Sequence, residues 1–478
     1  MPSSPRKNPF PLLKNPLKNV FHKMRLHSRS NSVTPPTEFD ETHVLNPVYN
    51  PGFTRVSSGP DCTCLISDEN LLCILSKVDE KQLGLCGLVC KRWEKLSGKL
   101  VRSLKLLDWE FLDSGRLIYR FPNLIDVDVV RACVRSGHSS GIVLSSRFVS
   151  VDLNSGVLND GFVRKLDLLD SRVVDQGIRV LVEGCLSLRK LVLVNVSEEG
   201  LSCVADGCKT LQELELYCCC DFVLIGISKC QNLQILKLVG CIDGFYDSVV
   251  SDIGLTILAQ GCRRLVQLEL VGCEGSFDGI KAVGQCCQML EELTLCDHRM
   301  DGGWLAALSY CGNLKTLKLQ SCKSIDSSPG PDEHLSYCPT LEELHLQHCQ
   351  LRDKQGVRAL FIACQTVRDL VIEDCWGLDN VTFGYASICR RVRLLSLEGC
   401  SLLTMDGLDP VVFSWKELNR LKVISCNKIK DGETTIELAT LFSSLKELMW
   451  RPDCRSILLS GLAGTGVGQR GGRSFSRK

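Results

Sequence analysis

The hydrophobic positions of this chain recur in one twelve-residue arrangement, Cys-x-x-Leu-x-x-Leu-x-Leu-x-x-Cys. It is complete at Cys230-Leu233-Leu236-Leu238-Cys241 and Cys262-Leu265-Leu268-Leu270-Cys273, and again at Cys311-Leu314-Leu317-Leu319-Cys322 and Cys338-Leu341-Leu344-Leu346-Cys349. Valine and isoleucine enter in Cys364-Val367-Leu370-Ile372-Cys375 and Cys389-Val392-Leu395-Leu397-Cys400. The leading cysteines stand at 185, 208, 230, 262, 287, 311, 338, 364 and 389, a period of about 26 residues, and self-similarity at such a period predicts a solenoid. The Leu-x-Leu pair has period two, so both leucines share one face of a short strand, and the earlier leucine sits at the bend entering it. A turn follows, often with Asp and Gly, and then a stretch with helical spacing. Asp252-Ile253-Gly254-Leu255 before Ile257-Leu258-Ala259 is one case, and Asp353 to Val357 before Ala359-Leu360 is another. Each unit is thus strand, turn, helix. A single unit cannot bury its own leucines, but stacked units bury a continuous core. The prediction is an α/β solenoid with parallel strands on the concave side and helices on the convex side.

The cysteine count follows from this frame. Of the 29 cysteines, nine lead a unit and eight close one, and a free thiol packs as a small hydrophobe. No secretory signal is evident, so reduced thiols are expected. Cys62-Thr63-Cys64 and Cys218-Cys219-Cys220 lack zinc-type spacing, so no metal and no cofactor is expected. Trp415 replaces the leading cysteine of the last closed unit, while His298 and Val196 occupy closing positions. Phe121-Leu124-Val127-Val129 and Phe442-Leu445-Leu448-Trp450 read as degenerate end units, as capping units usually are. Residues 131–165 are irregular. The pattern over about 120–455 resembles the cysteine-containing class of leucine-rich repeats.

Ahead of the repeats the period changes. Ile66-Ser67-Asp68-Glu69 reads as a helix start, with Ser67 as N-cap and acids in the first turn. Leu71, Leu72, Ile74, Leu75 and Val78 then form an apolar face. After a break at Asp79-Glu80-Lys81, a second apolar segment runs through Leu83, Leu85, Leu88, Val89, Cys90 and Trp93. From the pattern alone this is two or three short helices, for which an amphipathic cap sealing the first repeat is an alternative reading. The residue string, Leu65-Ile66-Ser67-Asp68-Glu69-Asn70-Leu71-Leu72-Cys73-Ile74-Leu75-Ser76-Lys77-Val78 with Leu88-Val89-Cys90-Lys91-Arg92-Trp93, resembles an F-box, with Ser67 in place of the usual proline and Asn70 in place of a leucine. The whole chain is similar to F-box/leucine-rich-repeat proteins of the plant type.

That resemblance implies a non-catalytic substrate receptor of an SCF-type (Skp-cullin-F-box) ubiquitin ligase, acting in protein ubiquitination and proteasomal degradation. It implies a Skp-type adaptor bound by the F-box, and a cullin and a RING protein reached through the adaptor. The positions it implies for adaptor binding or support are Ile66, Leu71, Ile74, Leu75, Val78, Leu88, Val89 and Trp93. The expected domains are a basic N-terminal segment (1–60), the F-box (61–108), the solenoid (109–455) and a Gly/Arg/Ser tail (456–478).

Substrate recognition belongs on the strand positions that alternate with the core leucines. They mix acids and bases, among them Lys237, Glu269, Lys318 and His345. No stripe of one sign runs along them, which disfavours nucleic acid and suits a protein ligand. The long step after Cys230 holds a loop with Phe245 and Tyr246, aromatics that the repeat does not need. Another long loop, Ser327 to Asp332, replaces much of a helix with turn residues.

Charge adds one division. The net charge is +1, yet residues 1–30 hold seven bases and residues 455–478 hold five, neither with an acid. Both ends have the composition of solvated tails. No run of eighteen apolar residues occurs, so no membrane span is expected, and cytoplasm or nucleus is the expected compartment. The eight histidines show no HExxH spacing, and no glycine-rich phosphate loop follows a strand, so no catalytic residue is expected. The alternatives are a repeat scaffold that binds an adaptor without a cullin, and a small-molecule-sensing receptor.

Overall fold

The computed structural model describes residues 62–134, 142–143, 168–240, 250–300, 302–331, 335–430, 434–452 and 475–476. Residues 1–61, most of the C-terminal tail and the Phe245-Tyr246 segment lie outside them. The helices at the start and the sheet that follows belong to one unit, Thr63–Lys478.

Three short helices come first: α1 (Asp68–Leu75), α2 (Glu80–Cys86) and α3 (Lys91–Gly98). Ser67 caps α1 by accepting a hydrogen bond from the Asn70 amide at 3.3 Å, and Asp79 caps α2 by accepting from Gln82 at 2.9 Å. Each cap satisfies one of the amides that a helix start leaves without a partner. The second apolar segment is not one helix. It breaks after Cys86, Leu88 and Val89 form a turn, and Cys90 opens α3. Leu71, Leu75, Leu83 and Leu96 join the hydrophobic core, with Ile66, Leu72 and Trp93 packed half-buried against it.

The sheet starts earlier than the sequence boundary at 108. Its first parallel strand is Ser103–Leu106, paired with Asp126–Asp128. The reason is visible in retrospect: Val101, Leu104 and Leu106 keep the repeat spacing, with Gly98 in the leading position. A Cβ on Gly98 would lie 2.2 Å from the Arg120 carbonyl oxygen, so a cysteine cannot stand there. From this point strand follows strand in sequence order through Glu447–Arg451. Among the described residues one fifteen-stranded sheet results, parallel except where Ile142–Val143 and Phe475–Ser476 flank its ends. The register is one unit per strand. Leu317 and Leu319 stand beside Leu344 and Leu346, which stand beside Leu370 and Ile372. All of these are fully buried, so the leucine ladder is the core.

Every strand must turn sharply onto the convex side. The residue before the closing position takes left-handed backbone in most units: Asn195, Cys218, Asp297, Ser321, His348, Asp374 and Ser425, with φ between 44° and 58°, and glycine at 272 and 399. Short polar residues and glycine tolerate that conformation best. Its amide carries the ladder one step further, as where Ser321 donates to the Gln347 carbonyl at 2.8 Å.

The recurring Asp and Gly after the turn have a packing explanation. Asp221, at the start of one convex helix, accepts from the Ser251 amide (2.7 Å), the Ser251 hydroxyl (2.5 Å) and the Gly254 amide (3.1 Å) of the next unit. Asp252 does the same for Ser276 and Gly279 one unit on. A Cβ on Gly254 would sit 2.2 Å from Asp221 Oδ1. Glycine is there to let the carboxylate reach the helix start of its neighbour.

The loop Ser327 to Asp332 carries no helix over its described residues, as its turn residues predict. Asp326 takes the place of packing there. It is fully buried and accepts from the amides of Gly303 (2.8 Å) and Ser328 (3.1 Å). The Trp304 indole donates to the Ile325 carbonyl at 2.6 Å.

All nine leading cysteines are buried, as are the closing ones among the described residues, and no disulfide joins them. The closing thiols donate to carbonyls of a neighbouring strand, Cys349 to Leu319 at 3.2 Å and Cys375 to Leu346 at 3.4 Å. Burial pushes the leading thiols up, Cys185 and Cys230 to about 11 and Cys311 and Cys389 to about 12. They are packing groups with weak donors, not nucleophiles.

Candidate functional site

The three-helix segment separates the eight positions that the sequence could not. Leu71 and Leu75 are 1% exposed and belong to the core. Ile66, Val78 and Trp93 are half-buried. Ile74, Leu88 and Val89 are open, at 52%, 79% and 64% exposure, and two residues outside the eight join them, Leu65 at 89% and Leu85 at 65%. The cause is local. Ile74 lies beside Leu75 on α1 but points away from it, since neighbours on a helix face different directions. Leu88 and Val89 escape burial because α2 has already ended. Leu65 precedes the α1 cap, at the end of the 3-10 turn Cys62–Leu65.

Five apolar side chains at this exposure, in about 25 residues, are more than scattered surface leucines. Burying each on a partner yields roughly 1.5–3 kcal/mol, so together these side chains suit an interaction surface. The signal for Leu65 and Leu85 was present in the sequence as leucines off the α1 face. It could not be used without knowing where α2 stops.

The concave positions of the sheet present different chemistry. Lys237 lies 3.1 Å from Glu269 and 3.7 Å from Glu215, on the strands either side. Burial works against its ammonium, but the Glu269 and Glu215 carboxylates outweigh it, and its pKa stands above the ordinary lysine value. Lys318 meets Glu292 at 2.6 Å, His345 meets Glu343 at 3.3 Å, and Arg420 reaches Asp369 at 2.9 Å. The four predicted residues therefore fall within five consecutive strands of the sheet, each already against a polar partner. Two further strand positions that alternate with the core leucines are closed off, since Tyr217 and Val239 are buried and the Tyr217 hydroxyl is bonded to Glu215. Phe245 and Tyr246 lie outside the described residues.

One titratable group is buried in the turn after the strand Glu292–Cys296. His298, in the closing position that cysteine holds elsewhere, is buried, and its Nδ1 accepts from the Met300 amide at 3.2 Å. Its ring stands edge-on to Trp304, with centroids 5.5 Å apart, and its Nε2 has no partner. Burial lowers its pKa from 6.5 to about 4, so it is a neutral filler at neutral pH. Among the described residues no cluster of three or more His, Cys, Asp or Glu side chains could hold a metal ion, and no helix is long and apolar enough to cross a membrane.

Residues 64–104 match the F-box domain family, and residues 337–360 match the Leucine Rich repeat family. The first match spans the three helices and their exposed face, and the second falls on one unit of the sheet. The chain carries an F-box domain and a leucine-rich repeat. Among solved structures, its F-box-headed solenoid is similar to an internalin (inlF) from Listeria monocytogenes, with 17% identity over 55% of this chain and 67% of that one, at a TM-score of 0.35. It is similar to TLR13 in a complex with ssRNA13, with 16% identity over 74% of this chain and 54% of that one, at 0.36. It is also similar to the plant peptide hormone receptor RGFR1 in complex with RGF2, with 15% identity over 55% and 47%, at 0.30. The F-box/leucine-rich-repeat chain thus spans about two thirds of the first of these and about half of the other two. Scores this low carry no functional argument.

Proposed function

We propose that this protein is the substrate-recognition subunit of an SCF-type ubiquitin ligase. The F-box docks a Skp-type adaptor, the adaptor links it to a cullin and a RING protein, and the solenoid holds a protein substrate for ubiquitination. The observation that carries this reading is the exposed set Leu65, Ile74, Leu85, Leu88 and Val89, within the residues that match the F-box family. A small helical unit with surplus apolar surface gains stability by burying it against a partner. The paired acids and bases of the concave face suit a protein ligand of mixed charge rather than a polyanion. Lys237, Glu269, Lys318 and His345 are the proposed contacts there, with Phe245 and Tyr246 on the loop beyond. Free, buried thiols suit a reducing compartment, and we place the protein in the cytoplasm or nucleus.

Affinity purification of the tagged full chain from cells tests the assignment. Recovery of a Skp-type adaptor together with a cullin is the expected result. An adaptor without a cullin would replace the ligase by a scaffold, and recovery of neither would overturn the F-box reading.

A further inference from the structure

We infer that Arg92 is a positioning residue that holds the two halves of the exposed F-box face in register; the inference rests on reading that face as the adaptor-docking surface. Its guanidinium spans three acceptors from an earlier part of the chain. Nε donates to Asp68 Oδ1 at 2.8 Å, Nη1 to the Thr63 carbonyl at 2.8 Å, and Nη2 to the Ile66 carbonyl at 2.6 Å. Nη2 also lies 2.7 Å from Asp68 Oδ1. Thr63 and Ile66 bracket Leu65, the most exposed apolar residue of the face. Leu88 and Val89 lie just ahead of Arg92 in the turn that opens α3. Next to Arg92, Trp93 packs against the core, so α3 is anchored on its inner side while Arg92 reaches outward. One side chain thus ties the segment carrying Leu65 to the segment carrying Leu88 and Val89.

The chemistry requires arginine. Five N–H donors in a rigid planar fork can satisfy a carboxylate and two carbonyls at once, which a lysine ammonium on a flexible stem cannot do in the same geometry. A face held in its binding arrangement docks without the cost of ordering a loose segment. Arg92 need not touch the adaptor to affect its affinity.

A double-mutant cycle on the full chain, titrated with a purified Skp-type adaptor, tests this. Arg92→Ala should weaken adaptor binding by about tenfold, within the usual range of coupling through a shared network, and Arg92→Lys should fail to restore it. In a Leu65→Ala background the further loss from Arg92→Ala should fall below about twofold, because the residue that Arg92 positions is gone. In a Leu85→Ala background the full loss should remain, because Leu85 lies on α2 whereas the Arg92 hydrogen bonds go to Thr63, Ile66 and Asp68. Equal losses in both backgrounds would show that Arg92→Ala damages the F-box as a whole, or acts elsewhere, and would overturn the inference. Full activity of Arg92→Lys would do so as well. A wild-type chain that binds no adaptor would overturn the docking assignment itself, a result distinct from either.

Discussion

The F-box face and the concave face of the sheet are both open to solvent, and they are opposite in kind. The first is apolar and unpaired; the second is polar, with its charges paired strand to strand. An apolar patch gains free energy simply by being covered. A paired ion gains little from a new partner, because its charges must first be desolvated and its existing contact given up. The two surfaces therefore suit different tasks. An apolar face like that of the F-box suits steady affinity to one partner. The concave face favours selectivity, where a wrong partner is rejected by unmatched charges.

The largest test of that contrast is removal of the apolar face. The triple variant Ile74→Ser, Leu88→Ser, Val89→Ser should lower adaptor affinity by at least about a hundredfold, since each loss removes roughly 1.5 kcal/mol or more of burial. Thermal unfolding of the solenoid should stay unchanged. Calorimetric titration and a melting curve on the same sample read both, and a matching fall in the melting curve would mean that these residues support the fold.

Leu75 provides the counterpart inside the same helix. Leu75→Ala should cost about 2–5 kcal/mol of local stability, the usual range for a fully buried leucine. Its binding defect should follow unfolding of the F-box and recede on cooling. Hydrogen exchange over α1 separates this from the triple variant, which should leave protection there intact.

Within the sheet, His298 makes stability depend on pH. The folded state holds it neutral down to about 4, while the unfolded chain protonates it near 6.5. Unfolding therefore takes up a proton in that window, so stability falls as the pH drops from about 6.5 to about 4, by on the order of 3 kcal/mol. His298→Cys, which restores the residue found in other units, should flatten that part of the curve. Urea midpoints at pH 7.5 and 4.5 for both proteins measure the difference, and parallel losses would remove His298 as the cause.

The smallest effect is expected on the concave face. Lys318→Gln breaks the 2.6 Å contact with Glu292, yet such partly exposed pairs contribute only about 0–1 kcal/mol. The melting temperature should move little. A large fall in stability would mean that the row of charges is structural and would weaken its claim as a recognition surface.

Much of this architecture was legible before the structure. The Leu-x-Leu pairs, with isoleucine or valine as variants, mark the central strands because an apolar residue flanked by alternating polar residues has one way to be buried in a stacked sheet. The cysteines could be set aside as packing groups for the same reason, and their burial agrees. The first strand was missed because its leading residue is Gly98 rather than cysteine, a substitution forced by a contact with Arg120 that no local pattern reveals. The eight F-box positions could not be sorted into core and surface. Adjacent leucines and isoleucines on short helices look alike until the helix ends and packing directions are known.

Sequence alone determined the repeat, its period, its core and the presence of an F-box, since each depends on residues close together or recurring at fixed spacing. Tertiary structure decided what depends on residues far apart in the chain. It turned Leu88 and Val89 outward where α2 stops, paired Lys237 with acids from two other strands, left His298 neutral beside Trp304, and joined Arg92 to Thr63, Ile66 and Asp68. Those outcomes follow from distances between side chains that only the folded chain brings together.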